Sequence, residues 1–116
     1  MRIGCCTNMI ATGKDGIGAE NIGLLSAAGF DYIELPLNGI SALTESEFAG
    51  LEETVRKSSI RCEGCNSFFP SSLRIIGPGS DMKRTEEYVR LVLSRAARLG
   101  SKQAGIGSGP SRSIPD

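Results

Sequence analysis

AAGFDYIELPL, residues 27–37, is the stretch on which the fold turns. Gly29 supplies a helix stop, and the chain enters a strand almost at once. From Asp31 to Leu37 the residues alternate, so Tyr32 and Glu34 share one face while Ile33 and Leu35 point the other way. Upstream, Ile22, Leu25 and Ala28 return at helical steps, which predicts a helix over Ile17–Ala28. Further β-like runs lie at Arg2–Cys6, Ile60–Cys65 and Lys102–Ile106, so the strand starts fall 29, 29 and 42 residues apart. That spacing is close to the roughly 30 residues of a strand–helix–strand unit, with an extra loop in the third interval. The reading is α/β, with four parallel strands alternating with three helices.

The second helix has the clearest start. Thr44 followed by Glu47 makes a capping box, and Phe48, Leu51 and Val55 form its apolar stripe. Glu45, Glu52, Arg56 and Lys57 form a solvated face whose signs run with the helix dipole. The third helix, about Asp81–Leu99, gathers Tyr88, Val89, Val92, Ala96 and Leu99 on one side. Arg84, Glu87, Arg90, Ser94 and Arg98 face water, and Gly100 ends it. Helix-to-strand turns are brief, whereas the strand-to-helix loops Thr7–Gly16, Asn38–Leu43 and Asn66–Ser80 are long and polar or glycine-rich. In a barrel or an open α/β sheet this asymmetry puts the elaborated loops at the carboxyl ends of the strands, where sites are built.

Composition narrows the classes. The 116 residues are 40% hydrophobic and 22% charged, with thirteen basic residues balancing thirteen acidic ones. Scattered charges argue against a nucleic-acid partner, and no apolar run reaches membrane-span length. The start MRIGCC lacks the apolar core of a secretory leader, so the expected location is cytoplasmic. Histidine is absent, which removes the commonest general base and transition-metal ligand. The four cysteines read as free thiols. In CEGC, Cys62 and Cys65 stand three apart on a strand, which predicts opposite faces and hence no shared metal or disulfide. Adjacent Cys5 and Cys6 are read the same way. The glycine runs Gly13–Gly18 and Gly105–Gly109 match no nucleotide fingerprint. They read as tight turns and close packing, with phosphate cradling as the alternative. Phe68-Phe69 reads as a cap on the core, or else as the wall of a pocket.

GFDYIELPL, the third-strand exit NSFFP with RIIGPGSD after it, EYVRLVLSRAARLGSK and the final GIGSGPSRSIPD occur in order along nearly the whole chain. Together they resemble the sugar phosphate isomerases and epimerases of the xylose-isomerase-like barrel superfamily. The resemblance implies that residues 1–116 form one partial domain, the amino-terminal half of a (β/α)8 TIM barrel. A complete barrel takes about 250 residues. It also implies a sugar or sugar phosphate substrate and, in the full-length family, manganese or magnesium polarising its oxygens while paired acids move a proton. Those ligands and acids belong to the later strands, so no catalytic residue, metal ligand or cofactor is assigned to this chain, which is expected to be inactive alone.

Three substrate-binding candidates sit at strand ends and match individually. Glu34 lies on the inward face of the second strand, as a pocket carboxylate or as a structural acid bonded to backbone or arginine. Asn66 ends the third strand. Arg112 follows the fourth, either to grip a phosphate or carboxylate or as an exposed tail residue. A half-barrel leaves two sheet edges and an apolar face open, which predicts a homodimer or a partner supplying the other strands. The rival is an open-sheet binding module, distinguished by whether the strands run in sequential order.

Overall fold

The computed structural model describes residues 1–107 and 109–114. Its sheet has the order β1-β2-β3, formed by β1 (Gly4–Cys6), β2 (Tyr32–Pro36) and β3 (Arg61–Asn66). Both pairings are parallel, with Gly4 opposite Tyr32 and Cys6 opposite Glu34 in the first. Sequential order without a switch point is the barrel arrangement, not that of the open-sheet rival. The helices are α1 (Ile22–Ala27), α2 (Leu37–Ser41), α3 (Glu45–Lys57) and α4 (Met82–Arg98).

The expected fourth strand at 102–106 is reduced to one parallel bridge between Cys65 and Ala104. Three backbone hydrogen bonds still hold the segment in line beside β3: Lys102 N–H to Glu63, Cys65 N–H to Gln103 and Gly105 N–H to Cys65. Gly105 and Gly107 offer no side chain to pack, so the ladder stops there. The first helix is shorter than expected. A 3-10 turn occupies Ala19–Asn21, and Gly18 before it is left-handed (φ 79°), which prevents the helix from running back to Ile17. The loop expected over Asn38–Leu43 instead begins with α2, entered straight from Pro36, so the helices number four among the described residues rather than three.

The core lies between the sheet and the helices. Ile33 and Leu35 project into it to meet Phe48, Leu51 and Val55 of α3 and Val92, Ala96 and Leu99 at α4. The capping box forms as expected, with Thr44 N–H donating to Glu47 Oε2 at 2.7 Å and Glu47 N–H to Thr44 Oγ1 at 3.2 Å. Arg95, 5% exposed, reaches through this layer. Its Nη1 donates to the carbonyls of Ile40 (2.6 Å) and Leu43 (2.9 Å), and its guanidinium lies 4.8 Å from the Phe48 ring centroid. It thereby satisfies the Leu43 carbonyl, and adds a second donor to the Ile40 carbonyl, which also accepts the Leu43 N–H at 3.3 Å, where α2 ends and the chain turns into α3. Phe68 is buried in the core and Tyr88 Oη donates to its carbonyl at 2.6 Å, consistent with the capping reading.

The reading of Cys62 and Cys65 as facing opposite ways is corrected by a bulge. Ile33 pairs with Cys62, but the next β2 residue, Glu34, pairs with Gly64, so Glu63 is the extra residue. One inserted residue restores the side-chain phase, and Cys65 pairs with Leu35 on the same helix-facing side as Cys62. Both thiols are buried and free, as expected.

Candidate functional site

The sheet face turned away from the helices is polar. Parallel register puts Gly4 and Cys6 of β1, Tyr32 and Glu34 of β2, and Gly64 and Asn66 of β3 on that side. At the amino-terminal end of the strands Arg2 binds Glu63, with Nη1 to Oε2 at 2.9 Å, and lies 5.4 Å from the Tyr32 ring centroid. At the carboxyl ends Cys6, Asn8, Glu34 and Asn66 converge. Cys6 Sγ donates to Glu34 Oε2 at 3.5 Å, and Asn66 Nδ2 donates to Asn8 Oδ1 at 3.3 Å.

Gly64 makes room for this cluster. A Cβ there would stand 3.1 Å from Glu34 Oε1 and 3.3 Å from Gln103 Nε2, so a bare backbone lets the carboxylate lie against β3. Asn66 Oδ1 is enclosed without a hydrogen-bond partner, an acceptor left free beside the carboxylate. Burial, and then the adjoining Glu34 carboxylate, push the Cys6 thiol above its ordinary range and keep it a neutral donor. The site as it stands can accept hydrogen bonds from hydroxyls through Glu34 and Asn66, with Cys6 as a weak donor.

Loop geometry shapes the rim. Thr7, fully buried, donates to Ile17 O at 2.6 Å and Glu34 O at 3.3 Å, which ties the loop after β1 to the second strand. Glu20 Oε1 accepts from the backbone N–H of Thr12 (2.6 Å) and Gly13 (2.9 Å), and these bonds hold its carboxyl at about 2. The first glycine run is therefore turn-forming, with Gly16 and Gly18 both left-handed. The second includes Ser108, which lies outside the described residues, as do Pro115 and Asp116.

Of the three expected residues, the structure brings Glu34 and Asn66 to the same end of the same face. Arg112 ends a 3-10 turn over Gly109–Arg112 and is exposed. Neighbouring Ser111 is buried and donates to Pro70 O at 2.9 Å, so this turn sits beside the loop that leaves β3, outside the Glu34 cluster. Cys6, Asn8 and Gly64 were missed by sequence reasoning. The alternation of the first strand pointed to Cys6, but Gly64 depends on the bulge and left no signal. A divalent cation needs several oxygen ligands. Glu34 is the single carboxylate of the cluster, and the described residues contain no group of three or more acid, cysteine or histidine side chains placed to hold a metal. The cluster by itself does not make a divalent-cation site. Two cavities, of about 740 and 550 Å³, lie elsewhere: the first between the carboxyl ends of α3 and α4, the second around Arg2, Tyr32 and Lys102. No helix among the described residues is long and apolar enough to cross a membrane.

No protein-family model matches the chain, and no curated protein sequence matches it either. Among solved structures it is similar to D-psicose 3-epimerase, crystallised in the presence of D-fructose, with a TM-score of 0.69 and 16% identity. The match covers 90% of this chain and 37% of that protein. The architecture is accordingly part of a TIM barrel.

Proposed function

We propose that the chain is the amino-terminal half of a sugar or sugar phosphate isomerase or epimerase barrel. In this reading Glu34 and Asn66 form one wall of the pocket that holds a keto-sugar. The observation that carries it is the pairing of a polar cluster, Cys6, Asn8, Glu34 and Asn66, with the carboxyl ends of sequential parallel strands. Sugars present hydroxyls, and a wall of one carboxylate and two amides offers both acceptors and donors to them. The solved neighbour is an epimerase of the same architecture, which supports the substrate class. Arg112, exposed and without an ion pair among the described residues, is proposed to grip the phosphate when the sugar carries one. The proton transfer, and the manganese or magnesium of the full-length family, would reside in the other half of the barrel. This half is proposed to be inactive alone and to work in the cytoplasm, the compartment that suits a chain with four free thiols.

The missing half would come from a second copy or from further barrel strands. β1 is an open sheet edge, and exposed Ile3, Met9 and Ile10 flank it. The test of the pocket is an NMR titration of the ¹⁵N-labelled chain with D-fructose up to about 0.1 M, where even about 1.4 kcal/mol of binding half-fills a site. Shifts confined to Cys6, Asn8, Glu34, Asn66 and their neighbours are expected, and Glu34→Gln should weaken them. Shifts scattered over the helices, or none at all, would sink the assignment.

A further inference from the structure

Cys62 and Cys65 take no part in the polar cluster, yet the bulge brings their side chains together. They are 3% and 2% exposed and face the helix layer on one side of the strand, Cys62 opposite Ile33 and Cys65 opposite Leu35. Cys62 Sγ also donates to Gly64 O at 3.3 Å, across the bulge itself. Although buried, Cys62 lines the 740 Å³ cavity between the carboxyl ends of α3 and α4.

We propose that Cys62 and Cys65 are a modification site, a dithiol that hydrogen peroxide converts reversibly to an intrachain disulfide. The thiolate of the pair attacks one peroxide oxygen. The O–O bond breaks, hydroxide leaves, and a sulfenic acid forms on that sulfur. The second sulfur then attacks the first, the S–S bond forms, and the S–O bond breaks. The departing hydroxide leaves as water with the proton of the second thiol. The sum is two thiols and one peroxide giving one disulfide and two waters, with the sulfurs oxidised and the peroxide oxygens reduced. The neighbouring Cys62 thiol holds Cys65 below its ordinary range, while Cys65 and burial push Cys62 above it, so Cys65 is the sulfur of the pair that ionises first. Cys65 is flanked by Gly64 and Asn66, so closing the bridge acts on the strand that carries one wall of the polar cluster.

Peptide mapping tests this on the full chain without any sugar, so its outcome is independent of the substrate assignment. Trypsin releases Cys62–Arg74 with this pair alone, and Ile3–Lys14 with Cys5 and Cys6. After treatment of the native chain with about a tenfold excess of hydrogen peroxide and alkylation of remaining thiols, the 62–74 peptide should lose two hydrogens. It should do so before the 3–14 peptide changes, and dithiothreitol should reverse it. In Cys62→Ser the Cys65 sulfur should instead retain oxygen. A 62–74 peptide that stays fully alkylated, or that gains oxygen without losing hydrogen in the wild-type chain, would overturn the proposal, and neither result depends on a variant folding.

Discussion

Gly18 and Gly23 look interchangeable in sequence and are opposites in structure. Gly18 is left-handed, and a Cβ there would overlap the backbone carbonyl of Thr7, whereas Gly23 sits in α1 with open space around it. Gly18→Ala should destabilise the chain by more than about 2 kcal/mol. Gly23→Ala should stabilise it by about 0.5–1 kcal/mol through helix propensity, and urea midpoints read both. Glu20 gives a second test at this scale. Its carboxyl is held at about 2 by the Thr12 and Gly13 amides, below the roughly 4.3 of an unfolded glutamate. Above about 4.3 both states are ionised and the stabilisation is complete. As pH falls through that value towards 2 the unfolded chain takes up its proton first, and the stabilisation is progressively lost. The amide shifts of Thr12 and Gly13 should titrate with a midpoint near 2, and Glu20→Gln should abolish that titration. At this scale sequence reasoning placed Glu34 on the correct face from period-two alternation alone. It missed Cys6 and Asn8, because a thiol and an amide near an amino terminus carry no chemistry until a neighbouring strand brings a carboxylate to them.

Among the helices, α3 was the most legible, since Thr44, Glu47 and the stripe Phe48, Leu51, Val55 are local signals that tertiary structure did not override. Arg95 was not legible. An arginine on a charged helix reads as solvated, and only the arrival of the α2–α3 turn over α4 supplies the carbonyls that bury it. Arg95→Ala should cost about 2–4 kcal/mol, because the Leu43 carbonyl then loses its donor, the Ile40 carbonyl keeps only a long backbone bond, and the packing on Phe48 is lost. Arg90→Ala, at an exposed pair with Glu86, should change stability by less than about 0.5 kcal/mol. Thermal unfolding of the two variants side by side measures the contrast. The short helix α2 was hidden for the opposite reason: Pro36-Leu37-Asn38-Gly39 has turn composition, and burial of Leu37 and Ile40 decides its conformation.

At the scale of the whole chain, the parallel sequential sheet was legible from strand spacing, because each strand–helix unit carries its own punctuation. The bulge in β3 was not, since it depends on how two strands meet and not on either one alone. The open edge at β1 and the single bridge at Ala104 give the expectation for solution. Light scattering at micromolar concentration should return a dimer mass, and a lysine at Ile3 should shift it towards monomer. A wild-type monomer would show that the edges are covered without a second copy. The turn near the carboxyl end has a different consequence, one in time. Ser111 Oγ donates to Pro70 O, Ile75 N–H to Ser111 O, and an Arg74 Nη to Ser113 O, so two segments 41 residues apart in the Ser111–Pro70 bond are clasped across α4. A clasp that closes so long a loop is expected to form late, after α4 has docked. Ser111→Ala should therefore leave the refolding rate nearly unchanged and speed unfolding, so this corner of the chain sets how long the native state lasts once it has formed.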